Sequence, residues 1–388
     1  MKVVMLSTDP SVLVSGSPAR ERMQAYSTIA EKLYVIVLHR VSKEKPPVAL
    51  AAEVPSRIRI GRRLVLCPTY SSSKIGMFFD CLRVAKKVLP PKNSGVRTQW
   101  LITAQNPFEV GILGAFLAWR HDVRLELQLH TDMESPYFKH QSVANLMRTY
   151  TARFLIPRAA GVRVVSTRIA RSIAARARRK PSVLPVCVSV GVLRTSPIRL
   201  EIRKKYPQFD FFILVVSRLT REKDVGTALK ALGEVVKKYP KTGLLIIGDG
   251  PERKNLELQA TSYKLQANVM FLGWQEDVLS YYRGAHVYLL TSLYEGYART
   301  LVEAASLGCP VVTSDVGVSG ELFAHDNNAL VCPVGDADCF ARELLRIRED
   351  GHLARALSVR AEQTINDHVI AKEDYLMQCA KIWRECLK

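Results

Sequence analysis

The sequence predicts an α/β chain of two domains, the second built on a doubly wound parallel sheet. Three observations predict this. The chain has 388 residues, more than one ordinary core holds. Its second half alternates short apolar runs with helical segments through short loops. Its first half opens as strand, turn-rich loop, helix and strand, a start that often cradles a ligand at the strand's carboxyl end.

Taken in order, residues 3–8 read as the first strand. Pro10 to Met23 is a turn-rich loop with Gly16-Ser17-Pro18, running into a helix from Glu21 to Lys32 and a strand from Tyr34 to Leu38. The loop lacks the G-x-G-x-x-G spacing of a dinucleotide fingerprint. Residues 77–88 predict a helix, apolar on one side, with Arg83, Lys86 and Lys87 on the other. Such a helix lies on a membrane surface or, more commonly, packs on a core. Trp100 to Thr103 is a strand, and Glu109 to Trp119 a helix with Gly111, Gly114 and Ala115 for close packing. Arg124 to Leu129 is an alternating strand that delivers His130-Thr131-Asp132 at its carboxyl end. A histidine there is well placed to touch ligand, although a lone histidine is more often structural. Arg163 to Ser166 is the next strand. The helix expected after it carries Arg168, Arg171, Arg176, Arg178, Arg179 and Lys180 without aromatics, so base stacking is not supported.

A domain boundary is expected near Val186 to Pro197, where Pro and Ser collect and the charge balance changes. Strands then follow at 212–216, 244–247, 269–272, 286–290, 310–313 and 329–332, with a helix at 225–238. A final helix from Lys372 to Leu387 is placed to pack back across both halves.

Composition bounds the class. The chain is 48% hydrophobic and 24% charged, as a globular protein is, and has no apolar run long enough for a transmembrane helix. The N-terminal apolar run is too short for a secretory leader, so a cytoplasmic chain is expected. Eight cysteines form no C-x-x-C pair or ligand cluster and read as buried free thiols. Net charge is +20, all of it carried by residues 1–196; the remainder is balanced. That asymmetry points to an anionic partner such as membrane lipid, a phosphorylated acceptor or nucleic acid. A merely soluble basic surface gives the same count.

The chemistry-bearing residues sit just beyond strand ends. Ser217, Arg218 and Lys223 follow one strand, and two cations there suit a diphosphate, Arg as a fork and Lys as a point charge. Gly248 and Gly250 follow the next and let backbone approach a ligand. Glu295-Gly296 lies in a loop before a helix that starts near Arg299 or Thr300, with Glu303 inside it. The helix start would offer amides to a diphosphate, and the two carboxylates would accept sugar and ribose hydroxyls. Each motif alone occurs by chance.

The ordered set S-R-L-x-x-x-K, G-x-G-P and E-G-x-x-x-T-L-x-E-A resembles the retaining family-4 glycosyltransferases of GT-B fold, across essentially the whole C-terminal half. The N-terminal half is similar more loosely, through the Gly16 loop, the His130 turn and the element order. The resemblance implies two Rossmann-like domains facing a cleft: residues 1–190 for the acceptor, residues 197–368 for the nucleotide-sugar donor, and residues 369–388 as a helix crossing back. It implies that Arg218 and Lys223 hold the diphosphate, Glu295 lies near the donor sugar, Glu303 binds ribose, and His130 sits beside the sugar. Gly296 with Arg299, Thr300 and Leu301 matches the sugar and phosphate loop, and Gly273, Trp274 and Val278 match the segment bordering the base. One departure is plain: the family's first loop usually carries a Gly-Gly pair, where this chain has Gly16 followed by Ser17-Pro18.

The expected activity is retaining transfer of a hexose-type sugar from a UDP- or GDP-linked donor to a hydroxyl of a lipid-linked or polysaccharide acceptor. No metal and no cofactor is expected, since no D-x-D motif is present and the cations and helix amides can stabilise the leaving phosphate. The basic front half would dock to an anionic membrane face. Two other classes compete. One is a nucleotide-sugar epimerase on the same scaffold. The other is a basic nucleic-acid-binding protein, motivated by charge alone.

Overall fold

A computed structural model describes residues 1–40, 57–71, 73–92, 94–188 and 190–388. Ser189, inside the expected domain boundary, lies outside the described residues. Two sheets organise the chain. The first contains β1 (Lys2–Ser7), β2 (Lys32–Arg40), β3 (Ile58–Ile60), β4 (Leu64–Ser71), β5 (Trp100–Ala104), β6 (Arg124–Leu129), β7 (Gly161–Val164) and β8 (Ser182–Val183). Its order is β3-β4-β2-β1-β5-β6-β7-β8, parallel except where β3 pairs antiparallel with β4 at the edge. The second contains β9 (Phe211–Val216), β10 (Thr242–Ile247), β11 (Val269–Gly273), β12 (Val287–Leu290), β13 (Val311–Ser314) and β14 (Leu330–Cys332), in the order β11-β10-β9-β12-β13-β14, all parallel.

Both sheets are doubly wound: the order runs one way from β1 and from β9, then reverses at β5 and β12. Crevices open at those reversals, at the strands' carboxyl ends, because the flanking loops diverge there. The strands are near-continuous apolar runs because helices cover both faces. The last helix, Lys372–Leu387, buries Cys379, Ile382, Trp383, Cys386 and Leu387 against Val3, Met5, Met23 and Leu101 of the first sheet's layer.

The structure corrects several boundaries. The first helix is Pro18–Thr28, not Glu21 to Lys32: Ser17 Oγ caps the Arg20 amide at 3.1 Å and Pro18 begins the turn, while Lys32 already belongs to β2. The strand read at 163–166 is Gly161–Val164, because Ser166 serves as cap of the next helix. That helix spans Thr167–Ile173 only, since the Arg176 and Ala177 amides fold back on the Ile173 carbonyl. The continuous basic helix through Lys180 does not exist. Strands β3 and β4 and the helices Pro136–Gln141 and Val143–Leu155 were not expected. The free-thiol reading also fails for one pair. Cys332 at the end of β14 and Cys339 in the first turn of helix Ala337–Glu349 are joined as a disulfide, their Cα atoms 5.8 Å apart. The other six cysteines are free.

Candidate functional site

The reversal between β9 and β12 brings two crossover loops together. Lys223, from the loop after β9, donates from Nζ to Glu295 Oε1, from the loop after β12, at 2.5 Å. Ser292 Oγ donates to the same oxygen at 2.8 Å. The loops are laced by backbone: the Leu293 amide donates to the Glu222 carbonyl at 2.8 Å, and Thr291 Oγ1 to the carbonyls of Lys223 and Asp224 at 3.1 and 2.9 Å. The two residues expected to meet diphosphate and sugar separately therefore meet each other first. An ammonium has three donors, so Lys223 keeps capacity for an anion beside Glu295. Arg218 is 74% exposed, its Nη2 3.5 Å from Glu222 Oε1 at the mouth of the same crevice. Burial alone would raise the Glu222 pKa; the 2.7 Å bond from Thr220 and the charges of Arg218 and Lys223 reverse that and hold it below its ordinary value. Ser217 Oγ is buried with no hydrogen-bond partner among the described residues.

The glycines pack closely against neighbouring backbone. A Cβ at Gly248 would overlap the Ser217 carbonyl, and one at Gly250 the Leu219 carbonyl. The G-x-G turn thus packs flush on the Ser217-Arg218-Leu219 loop, and the amide of Leu219 donates to the Asp249 carbonyl at 3.0 Å. These glycines thereby shape the loop that presents Arg218. Gly273 ends β11 at φ +66°, its carbonyl accepting the Gly248 amide at 2.8 Å. Trp274 next to it is 82% exposed, and Val278 packs against the second domain's core.

The helix Arg299–Ser306 starts at Ala298, held at φ +68°, with no side-chain cap on its first amides. Backbone held in the left-handed region by a non-glycine residue marks a place that the surroundings over-determine. The Leu301 amide is already bonded to the Ala298 carbonyl at 3.1 Å and the Leu301 side chain is buried, so this residue contributes packing. Thr300 Oγ1 accepts from Tyr288 at 2.6 Å. Glu303 accepts from Arg299 Nε at 2.7 Å and from the Tyr282 hydroxyl at 3.3 Å. The buried Tyr288 hydroxyl is pushed up, first by burial, and the charges of both Glu295 and Glu303 add to that, so the two acids flank one ring.

The first domain closes this site. A Cβ at Gly296 would overlap the His130 carbonyl oxygen, so the loop carrying Glu295 rests directly on the His130-Thr131 turn at the end of β6. Tyr294 donates to Gln141 Oε1 at 2.5 Å and meets Phe138 edge-on at 5.4 Å between centroids. A cavity of about 170 Å³ lies between Asp132, Tyr137, Arg168, Glu295, Asp315 and Gly317. A larger one of about 520 Å³ runs along the carboxyl ends of the first sheet, bounded by Thr8, Arg22, Asn106, His130, Arg299 and Lys372. A further one, of about 590 Å³, lies at the amino ends of β9 and β12 beside Phe211 and His286, away from every loop described above. Gly16, at φ +73° with open space around it, turns the chain into the Ser17-capped helix whose Glu21 and Arg22 border the 520 Å³ cavity.

His130 Nε2 lies 3.2 Å from Gln128 Oε1. The Gln128 amide nitrogen donates to Thr103 Oγ1 at 2.6 Å, so its carbonyl oxygen faces the histidine, which must donate from Nε2 and keep Nδ1 bare. The residue is exposed in the cleft, yet enclosure of the ring by the surrounding protein, then the charges of Arg163 and Arg22, lower its pKa to about 4. The ring is therefore neutral near pH 7.

Sequence reasoning missed the residues that join the domains. Arg168 donates to Asp315, to the Gly317 carbonyl at 3.3 Å and to the Ser319 carbonyl at 2.8 Å, while its amide donates to Glu321 at 2.7 Å. Within that basic run, Arg168 is an interdomain clasp. Asp315 was findable, since it follows β13 as Ser217 follows β9; Arg168, 147 residues away, was not.

Residues 199–364 match the glycosyl transferases group 1 family. Among curated relatives, a lipopolysaccharide core biosynthesis glycosyltransferase LpsE of Rhizobium meliloti is 29% identical over 153 residues, 39% of this chain and 44% of that protein. The chain spans less than half the length of the curated relatives it matches. Among solved structures, Anabaena HepE in complex with UDP and glucose superposes with a TM-score of 0.75 at 19% identity, covering 98% of each chain. A sucrose-phosphate synthase from Thermosynechococcus elongatus also gives 0.75, at 17% identity, over 99% of this chain and 98% of that one. The architecture is GT-B.

Proposed function

Because residues 199–364 match the glycosyl transferases group 1 family, we propose that this chain moves a hexose-type sugar from a nucleoside-diphosphate sugar to a hydroxyl of a lipid-linked or polysaccharide acceptor. The carrying observation is the Lys223–Glu295 pair at the sheet's reversal, with Gly296 seated on His130. That arrangement seats the Lys223–Glu295 pair against the backbone of the His130 turn, while the His130 ring lines the 520 Å³ cavity of the first domain. The relatives support the same reading: HepE binds UDP and glucose, and LpsE serves lipopolysaccharide core biosynthesis.

The chemistry follows from charge. As the sugar–phosphate bond breaks, negative charge grows on the diphosphate and positive charge on the ring. Lys223, Arg218, Arg299 and the uncapped amides of the helix after Ala298 meet the first, with no metal required by this arrangement. Glu295 and the neutral His130 sit where the sugar would bind and hold its hydroxyls. Glu303 exchanges its Arg299 contact for ribose hydroxyls, and Trp274 borders the base. Retention follows if the acceptor enters on the face the diphosphate leaves, from the 520 Å³ cavity of the first domain.

The test is a thermal-shift screen of UDP, GDP and ADP against an oligonucleotide. A donor-site protein is stabilised by its own nucleotide by mass action, about 2.7 kcal/mol at a hundredfold excess over Kd. Stabilisation by the oligonucleotide alone overturns the reading.

A further inference from the structure

Three helices of the first domain carry a second apolar stripe on the side away from the core. On Lys74–Val88 it is Ile75 and Phe79, one turn apart, Ile75 being 73% exposed. On Glu109–His121 it is Ile112, Phe116 and Trp119, spaced four and three, with Trp119 66% exposed. On Val143–Leu155 it is Val143, Met147, Tyr150 and Phe154, spaced four, three and four, with Val143 78% exposed. The inward positions of the same helices, such as Leu113, Leu117, Ala152 and Leu155, are buried as usual. A surface helix is ordinarily polar on its outer face, so apolar stripes on both sides need a second apolar medium.

The stripes adjoin. Phe78 reaches Phe116 at 6.2 Å between ring centroids, and Phe116 reaches Trp119 at 5.9 Å. Arg148 on the third helix bonds Glu109 at the start of the second at 2.7 Å. Cations sit beside the outward aromatics: Lys92 over Trp119 at 5.2 Å, Arg153 over Tyr150 at 5.9 Å and Arg158 over Phe154 at 3.6 Å. The acidic residues of the three helices are Asp80 and Glu109, each held by an arginine, Arg83 and Arg148. Lys86, Lys87 and Arg120 stand exposed among them.

We propose that this three-helix face docks the protein on an anionic lipid bilayer, aromatics at the headgroup level and cations against the phosphates. Charge decides the occupant. A second copy would bring the same cations face to face, whereas an anionic leaflet attracts each basic residue and accepts each apolar one. No described helix is long and apolar enough to cross a membrane, so the contact is with the surface. The placement serves the cleft. The turn Asp132–Ser135 borders the cavity that holds Glu295, and the chain goes directly from it into the helices Pro136–Gln141 and Val143–Leu155. A lipid-anchored hydroxyl at the bilayer surface would then lie next to the donor sugar. This last step rests on the transferase reading; docking itself does not.

The experiment is sedimentation of the full chain with vesicles of phosphatidylcholine alone or with phosphatidylglycerol added. The chain should pellet with the anionic vesicles and be released as salt rises. A Phe79→Ser, Trp119→Ser, Met147→Ser variant and a Lys86→Glu, Lys87→Glu variant should each bind at least about tenfold more weakly. Both should keep the nucleotide-induced thermal shift, which shows that they are folded. Equal binding by the variants, binding that ignores lipid charge, no binding by the parent, or a dimer dissolved by the serine variant would overturn the proposal. Loss of the nucleotide shift in the parent would sink the transferase reading and leave the docking result standing.

Discussion

Gly296 of the second domain lies against the His130 carbonyl of the first so closely that no side chain fits between them. Glu295 is the chain neighbour of one, and Gln128 bonds the ring of the other, so this contact sets the Glu295 loop against the turn that carries His130. It is steric rather than attractive, and the smallest possible change tests it.

Gly296→Ala must push the His130 turn and the Glu295 loop apart. The protein should fold, since the contact is at a cleft and not in a core. The kcat/KM should fall by about 10²-fold, the cost of misplacing a reacting group by roughly an ångström. Steady-state kinetics beside a nucleotide thermal shift distinguishes this from unfolding.

Lys223→Ala removes the ammonium that pairs with Glu295. If it meets charge that develops in the transition state, kcat should drop by about 10²-fold or more with a smaller change in the donor KM. Glu295→Gln, which keeps the shape and removes the charge, should weaken sugar positioning while leaving nucleotide binding intact. Unchanged kinetics for Lys223→Ala would remove it from the site.

Much of the second domain was legible because each of its strands is a short apolar run closed by a motif, and the crossover rule puts every such motif at one edge. Helix Val225–Lys238 was readable to the residue, and the start at Arg299 to within one. The close packing of Gly248 and Gly250 was not, because what they touch is backbone 31 residues earlier in the chain. The Arg168 clasp and the Cys332–Cys339 bridge likewise depend on how two elements are aimed, which no spacing encodes. The outward stripes of Ile112, Phe116 and Trp119 were hidden for a simpler reason: a helix with apolar residues all round gives no clear period.

Arg168→Ala should loosen the clasp on Asp315, Gly317 and Ser319. Both partners are partly solvated, so the thermal midpoint should move little. The distance distribution between the domains, measured by small-angle scattering without nucleotide, should broaden. An unchanged distribution would show that the Tyr294–Gln141 and Gly296–His130 contacts suffice.

Glu126 and Arg163 form a buried pair, 0% and 4% exposed, 3.3 Å apart, tied by the Trp383 indole at 3.2 Å and the Tyr375 hydroxyl at 3.3 Å to the crossing C-terminal helix. Glu126→Gln strands a buried guanidinium and should destabilise the fold by about 3–5 kcal/mol in chemical denaturation. Trp383→Phe keeps most of the packing and removes one bond to the carboxylate, so about 1–3 kcal/mol is expected. Equal losses for the two would mean that the pair adds nothing beyond the helix contact.

Acid should weaken the first domain through two groups whose shifts act in the same direction. Burial alone would raise Glu134, but bonds from Arg153 and Lys139 at 2.6 and 2.7 Å overcome it and hold the carboxyl at about 2, against an ordinary 4.5. Its contribution is present above pH 4.5 and lost as pH falls towards 2. His130, lowered to about 4 from 6.5, refuses a proton that the unfolded chain accepts, so stability also declines as pH falls from 6.5 to 4. Urea midpoints followed across both windows should therefore drop on acidification. Glu134→Gln should flatten the lower window and His130→Asn the upper one. A slope that survives the matching substitution assigns that window to some other group.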